Sequence, residues 1–391
     1  MAFARVFMAS FTGLLGLAAL AAAPSCGGSD ATTGPPAVAD GGGLPDQVSV
    51  DSPPPPPPCT APKTACGSAC VDTSTDTRNC GACGTACKGP ELCLASKCTY
   101  VAGFAARKVY LGETDRAGVS VAGAWKAYGR NIDGITTVPG TDNGECKRVA
   151  GASAASAGDG NDGIDNSFGR NVLGFLLGLT PNPTSTTNAA LEAGGRTPLL
   201  VFGDAPKQTG VAPFALATAE STIAPKWDGR DSRPIAESST AAGKPKTTFA
   251  SATLSAGVLA SGDGSAPFVL SFAFGGGAFD LPIRLARVSM TIAPDGKTAT
   301  NGTLSGVMNT EELIASFEKV AGSISTQLCG GSTLDTIKQT MRQASDILVD
   351  GTQDPLKECN AISIGIGFDA VAVAVGAVAG PVAPPKDPCL P

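Results

Sequence analysis

The chain has 391 residues, of which 42% are hydrophobic and 5% aromatic, with 50 glycines, 30 prolines, 13 cysteines and a formal charge of −6. That length suffices for two or three domains, and the composition favours turn-rich β structure with small side chains over long helices. The acidic balance leaves no visible basic patch to neutralise phosphates, which argues against nucleic acid as a partner. The lack of any histidine excludes Ser-His-Asp and Cys-His nucleophile pairs, a histidine general base and histidine-ligated zinc.

Residues 1–25 hold one cation, Arg5, followed by an uncharged apolar run from Val6 to Ala23, the pattern of a secretory signal peptide. At about 18 residues, rich in alanine and glycine, the run sits at the lower edge of what spans a bilayer. Ala21-Ala22-Ala23 would suit ordinary signal peptidase, but the scissile bond would precede Pro24, whose ring removes the N–H and stiffens the substrate. Ala23-Pro24-Ser25-Cys26 resembles instead the lipobox of bacterial lipoproteins, with Ala23 where that family usually has leucine. The resemblance implies a diacylated Cys26 as the new amino terminus. It also implies attachment to a membrane through that lipid, and a place in the cell envelope at the outer membrane, on its surface or periplasmic face. Cysteine parity agrees, since thirteen is odd and setting Cys26 aside leaves twelve that can pair completely. Loss of Arg5 with the signal takes the charge to −7.

Residues 26–58 are rich in glycine and proline and offer almost nothing to bury, so they read as a disordered tether. Its glycine-rich half is expected to be flexible, and the run Pro53–Pro58 an extended polyproline II spacer.

Residues 59–98 hold Cys59, Cys66, Cys70, Cys80, Cys83, Cys87, Cys93 and Cys98 with scarcely a large apolar side chain. So short a segment cannot fold on a core, and in an oxidising compartment four disulfides are the expected framework, in a pairing that spacing cannot choose. Cys80-x-x-Cys83 has zinc-ligand or redox spacing, yet thiolates of an exported chain are normally consumed as disulfides, and no βαβ unit surrounds the pair. The stretch CGSACVDTSTDTRNCGACGTACKGPELCLASKC is similar to the Stig1-like cysteine-rich module, with Asn79, Gly81 and Gly84 recurring among the cysteines. It departs in having a single Cys93 where plant members have a doublet. The resemblance extends to many myxobacterial cell-surface lipoproteins and implies extracellular presentation, with no activity attached.

Residues 101–391 read as mainly β with a helical insertion, an α+β arrangement built on an antiparallel sandwich or barrel. Within 266–277, Phe268, Leu270, Phe272 and Phe274 alternate onto one face, the mark of a half-buried strand. Segment 197–204 is a second strand. Asp295-Gly296 is a hairpin signal between two apolar runs in 283–308. Helices are expected near 310–322 and 333–348. The first opens on a capping-box-like Asn309 and Glu312, the second on Ser332 and Asp335. Cys329 and Cys359 bracket the second helix, which favours a bridge between them and leaves Cys146 to pair with Cys389, one of three possible pairings. The run 361–379 could be a membrane helix by hydropathy. With Asp369 in its middle and Gly, Val and Ala alternating, it suits a buried strand better, given a bulge near Asp369 to switch the parity of its apolar face.

The best chemical candidate is Gly158–Gly169, where Asp159, Asn161, Asp162, Asp165 and Asn166 place side-chain oxygens on a glycine-rich loop suited to calcium. The frame is not that of an EF-hand, and an Asx-rich surface turn is the plainer reading. The loop resembles one in uncharacterised myxobacterial lipoproteins, a resemblance that implies no activity. Ser316 and Lys319 match a Ser-x-x-Lys pattern without its usual partner motifs, and Glu312 of the pair Glu311-Glu312 is more simply a cap. The expectation is an envelope protein with a structural, adhesive or ligand-binding role toward an extracellular or periplasmic ligand, and no catalytic residues. The alternative is a hydrolase that uses carboxylates or lysine.

Overall fold

The computed structural model describes residues 59–76, 78–87, 92–94, 96–99, 102–141, 144–154, 157–274, 277–382 and 389. The signal sequence, Cys26 and the tether lie outside them.

Cross-links, not apolar burial, organise the first segment. Two antiparallel hairpins, β1 (Thr64–Cys66) with β2 (Ala69–Val71) and β3 (Leu92–Leu94) with β4 (Lys97–Thr99), are stapled by disulfides Cys59–Cys70, Cys66–Cys83, Cys80–Cys93 and Cys87–Cys98. The Asn-Cys-Gly-x-Cys-Gly centre has a local reason. The Asn79 side chain accepts from Gly84 N–H at 2.8 Å, and Gly81 takes a left-handed φ of 77° with a Cβ position only 2.8 Å from the Ser96 carbonyl oxygen.

Among the described residues fourteen strands follow, interrupted by two pairs of α-helices. After β5 (Ala102–Tyr110) come α1 (Leu173–Leu179), α2 (Pro183–Glu192), β6 (Thr197–Phe202), β7 (Gly210–Val211), β8 (Phe214–Ala219) and β9 (Ser232–Ile235). A small hairpin, β10 (Thr240–Ala241) with β11 (Lys244–Pro245), leads to β12 (Thr247–Phe249), β13 (Thr253–Ser255), β14 (Val258–Ala260) and β15 (Phe268–Phe274). Then β16 (Gly277–Ile292) and β17 (Thr298–Asn309) form a long hairpin, followed by α3 (Thr310–Ile324), α4 (Ser332–Gln343) and β18 (Ala361–Val378). All but β10 and β11 join one sheet with β12-β8-β6-β5-β18-β17-β16-β14-β13-β7 as its path and β15 paired to β16. The class expected from sequence, mainly β with few helices and a disulfide-rich N-terminal segment, is the one observed.

Among the described strands, β9 pairs in parallel with β18 and bridges to β8 as well. The ring β18-β5-β6-β8-β9 is thereby closed, and Ala105, Leu199, Ala217, Trp227, Ile235, Val373 and Val375 cluster together. The opposite parity of the same strands, with Phe104, Leu200, Phe202 and Leu216, joins the main core beneath α1 and α3.

The sheet explains why β18 is apolar on both faces. Ile362, Ile364, Ile366 and Phe368 belong to the main core, whereas Val373 and Val375 belong to the ring. The register against β5 slips between Asp369 and Ala370, the expected bulge. Phe268, Leu270, Phe272 and Phe274 are all buried, and β16 turns into β17 through Gly296 at φ 68°. No helix among the described residues is long and apolar enough to cross a membrane.

Three expectations need correction. The first concerns the late cysteines: Cys146 pairs with Cys359 and Cys329 with Cys389, so neither Cys329–Cys359 nor Cys146–Cys389 forms. Lys147 pairs with segment 357–359, donating to Lys357 O and accepting from Cys359 N, which sets Cys146 beside Cys359. The second is α4, which ends at Gln343 and not near 348 because the chain beyond it is drawn to β18, with Asp346 and Ile347 N–H groups on Ala361 O. Its N-cap is Gly331, with no side-chain bond from Ser332, whereas Asn309 caps α3 as expected, accepting from Glu311 and Glu312 N–H. The third is a pair of helices with no sequence expectation, α1 and α2. Pro183 in the first turn of α2 and Gly194-Gly195 beyond its end are start and stop signals, but its threonine-rich face hides the apolar period.

Candidate functional site

Between β5 and α1 the described residues of 111–172 form almost no strand, so their backbone groups need other partners. Asx side chains supply them. Asp115 accepts from Ala117 and Val119 N–H, Asn131 from Gly134 N–H and Asp133 from Ile135 N–H. Asn166, 2% exposed, is the central tie. Its amide donates to Trp125 O, Tyr128 O and Gly365 O at 2.9–3.1 Å and its oxygen accepts from Gly169 and Gly365 N–H. Gly365 permits this approach, since a Cβ there would collide with the Tyr128 carbonyl.

This packing gathers carboxylates from distant parts of the chain around one cavity of about 20 Å³, lined by Glu145, Arg148, Asp159, Asp165, Asp346 and Gln353 among others. Asp165, 3% exposed, accepts from Ile132 N–H at 2.5 Å on Oδ2. Asp159 accepts from Thr137 N–H at 2.5 Å, and Asp346 from Ser363 N–H and hydroxyl at 2.8 and 2.5 Å. Gln353 bridges, donating to Asp133 and Asp346 O and accepting from Cys146 N–H. Desolvation, reinforced by the Asp133 charge, pushes the Asp165 carboxyl up to about 9. Desolvation likewise raises Asp346 to about 7 and Asp159 to about 6.

The structure therefore divides the residues of the proposed calcium loop. Asp159, Asp165 and Asn166 line the cavity, whereas Asn161 and Asp162 are exposed, Asp162 in a left-handed turn at φ 55°. The partners Glu145, Asp346 and Gln353 carry no local signal, because only the fold brings them near. Among the described residues one trio of potential metal ligands lies within 4.8 Å, Cys80, Cys87 and Cys98, and each of these is in a disulfide. Cys80 and Cys83 belong to different disulfides, so they form neither a zinc pair nor a redox pair.

Other polar groups read as scaffold. Glu311 is bidentate to Arg342 and Glu312 pairs with Arg284, while Ser316 is half-buried and Lys319 exposed on α3. Arg233, 0% exposed, donates to Gly195 O and Thr222 Oγ1 and lies over Trp227 at 5.5 Å in the closed ring. Arg116 lies 5.4 Å from both the Tyr110 and Tyr128 rings, and Tyr110 donates to Asp369 at the bulge. An open groove of about 270 Å³ is lined by Arg196, Ser238, Ser239, Lys246, Ser271 and Asp280, among others.

Residues 57–102 match the model of the Stigma-specific STIG1-like protein family, a match that takes in the whole cysteine-rich segment and its four disulfides. No curated protein and no solved structure matches the chain.

Proposed function

We propose that the protein is a lipid-anchored component of a bacterial cell envelope, most simply of the outer membrane. Acylated Cys26 and the tether would hold a Stig1-like module and a β-rich domain clear of the bilayer in a structural, adhesive or ligand-binding role. One observation carries the reading. Six disulfides use twelve of the thirteen cysteines and leave Cys26 over, directly after a signal-like segment. Disulfides at this density suit an oxidising compartment outside the cytosol.

A non-catalytic role is supported by the size of the acidic cavity. Its carboxyls are raised into the range that acid–base catalysis uses, yet about 20 Å³ admits a water or an ion and no sugar or peptide. Metabolic labelling with a fatty acid tests the anchor. The wild type is expected to take up label and Cys26→Ala to lose it together with its membrane association. Label retained in Cys26→Ala would overturn the proposal.

A further inference from the structure

Strand β15 has one edge without a partner strand. On its other side it pairs with β16, in a register that sets Val269 against Pro282. Proline has no N–H to exchange, so Phe268, Leu270 and Phe272 make the ladder bonds to β16, and the main-chain groups of Val269 and Ser271 point away from it. The Val269 carbonyl agrees, accepting from Thr218 Oγ1 on that far side at 3.3 Å. Among the described residues the N–H groups of Val269 and Ser271 and the Ser271 carbonyl have no partner. Both residues line the open groove of about 270 Å³, and Val269 is 43% exposed. A strand edge in this state is a template for a further strand.

The groove also carries opposite charges at its two ends. Lys246 stands beside the start of β15, where the next residue, Thr247, donates to Pro267 O, and its ammonium donates to the Ser238 carbonyl at 3.0 Å. Asp280 stands across from Ser271 and accepts from the Ser271 hydroxyl. Among the described residues neither makes an ion pair. Arg196, the other cation of the lining, is held by both oxygens of Glu220. One cation and one carboxylate are thus left over at opposite ends of the Phe268–Ser271 stretch, which is about 10 Å long.

We propose that this groove binds a short peptide with free termini as an added strand antiparallel to β15. In that direction the peptide's ammonium meets the Ser271 carbonyl and Asp280, and its carboxylate meets the Val269 N–H and Lys246. A parallel peptide would set each terminus against its own charge. The volume lies at the lower edge of ligand pockets, about 300 Å³, and helix α2 also packs against β15, so the occupant is about three residues long. Its recognition is by main chain and termini, with little selection of side chains. Peptide capture would give the ligand-binding role its occupant. It is independent of acylation at Cys26, so fatty-acid labelling and peptide titration can fail separately.

The test is calorimetric titration of the oxidised mature chain with the tripeptide Val-Thr-Val. Binding at millimolar peptide is expected, weakened about two- to fivefold by acetylating the peptide's amino terminus or amidating its carboxylate. Asp280→Asn is expected to remove the effect of acetylation alone, and Lys246→Gln that of amidation alone. Val269→Pro takes away a donor that the sheet does not use, and is expected to weaken binding about tenfold or more with the melting temperature kept. Methylating the last amide nitrogen of the peptide is expected to weaken binding with the protein untouched. No binding at millimolar peptide, blocked peptides that bind as well as the free one, or end effects that persist in Asp280→Asn and Lys246→Gln would overturn the proposal. So would a dimer in sedimentation that Val269→Pro splits, since the edge would then belong to a second copy of the chain.

Discussion

Asn166→Ala removes the tie that holds the irregular segment onto β18. Five hydrogen bonds disappear at a side chain 2% exposed, stranding the N–H groups of Gly169 and Gly365 and releasing three carbonyls. A buried donor left unpaired costs about 1–3 kcal/mol, so the two N–H groups alone predict a loss of about 2–6 kcal/mol. Chemical denaturation of the oxidised full-length chain, followed by circular dichroism, reads this as a lower midpoint at similar slope. Asn161→Ala, in the same loop but exposed, is the control and is expected within about 0.5 kcal/mol of wild type. A loss below about 1 kcal/mol for Asn166→Ala, or one equal to the control, would refute the assignment of Asn166 as the tie.

Further outcomes follow from the carboxylates and the late disulfides. Asp159, Asp165 and Asp346 hold a proton more tightly folded than unfolded, so their stabilising contribution is complete below the ordinary carboxylate range. It is lost as pH climbs through about 6, 7 and 9. In chelator the melting temperature should therefore fall across that window, under the added influence of Asp133, Glu145, Arg148 and Arg170 around the cluster, and a rising profile would contradict the geometry. Proteolytic mapping without reduction should recover Cys146 linked to Cys359 and Cys329 linked to Cys389. A peptide joining Cys329 to Cys359 would show that the sheet has a different register near residue 147.

Sequence legibility followed the range of the physics. The alternation of Phe268 to Phe274, the Asp295-Gly296 turn and the Asn309 cap depend on residues within a few positions of one another, and the structure forms all three. The bulge at Asp369 was readable because a strand buried on both faces must switch the parity of its branched residues, as Ile366 and Val373 do. Partner choice for Cys359 was not readable, since it depends on Lys147 reaching a segment some two hundred residues away. The same limit hid Glu145 and Asp346 from the acidic loop, and grouped the exposed Asn161 and Asp162 with Asp159 and Asp165, which line the cavity. Helix α2 was missed because its buried positions include Thr184 and Thr187, whose hydroxyls do not register as an apolar stripe.

Intact-mass analysis of the protein extracted from membranes of its native host bears most directly on the account. The expected species begins at Cys26, carries acyl groups on that residue, and shows no mass gain with an alkylating reagent until a reductant opens six disulfides. An unmodified amino terminus, or free thiols before reduction, would contradict it.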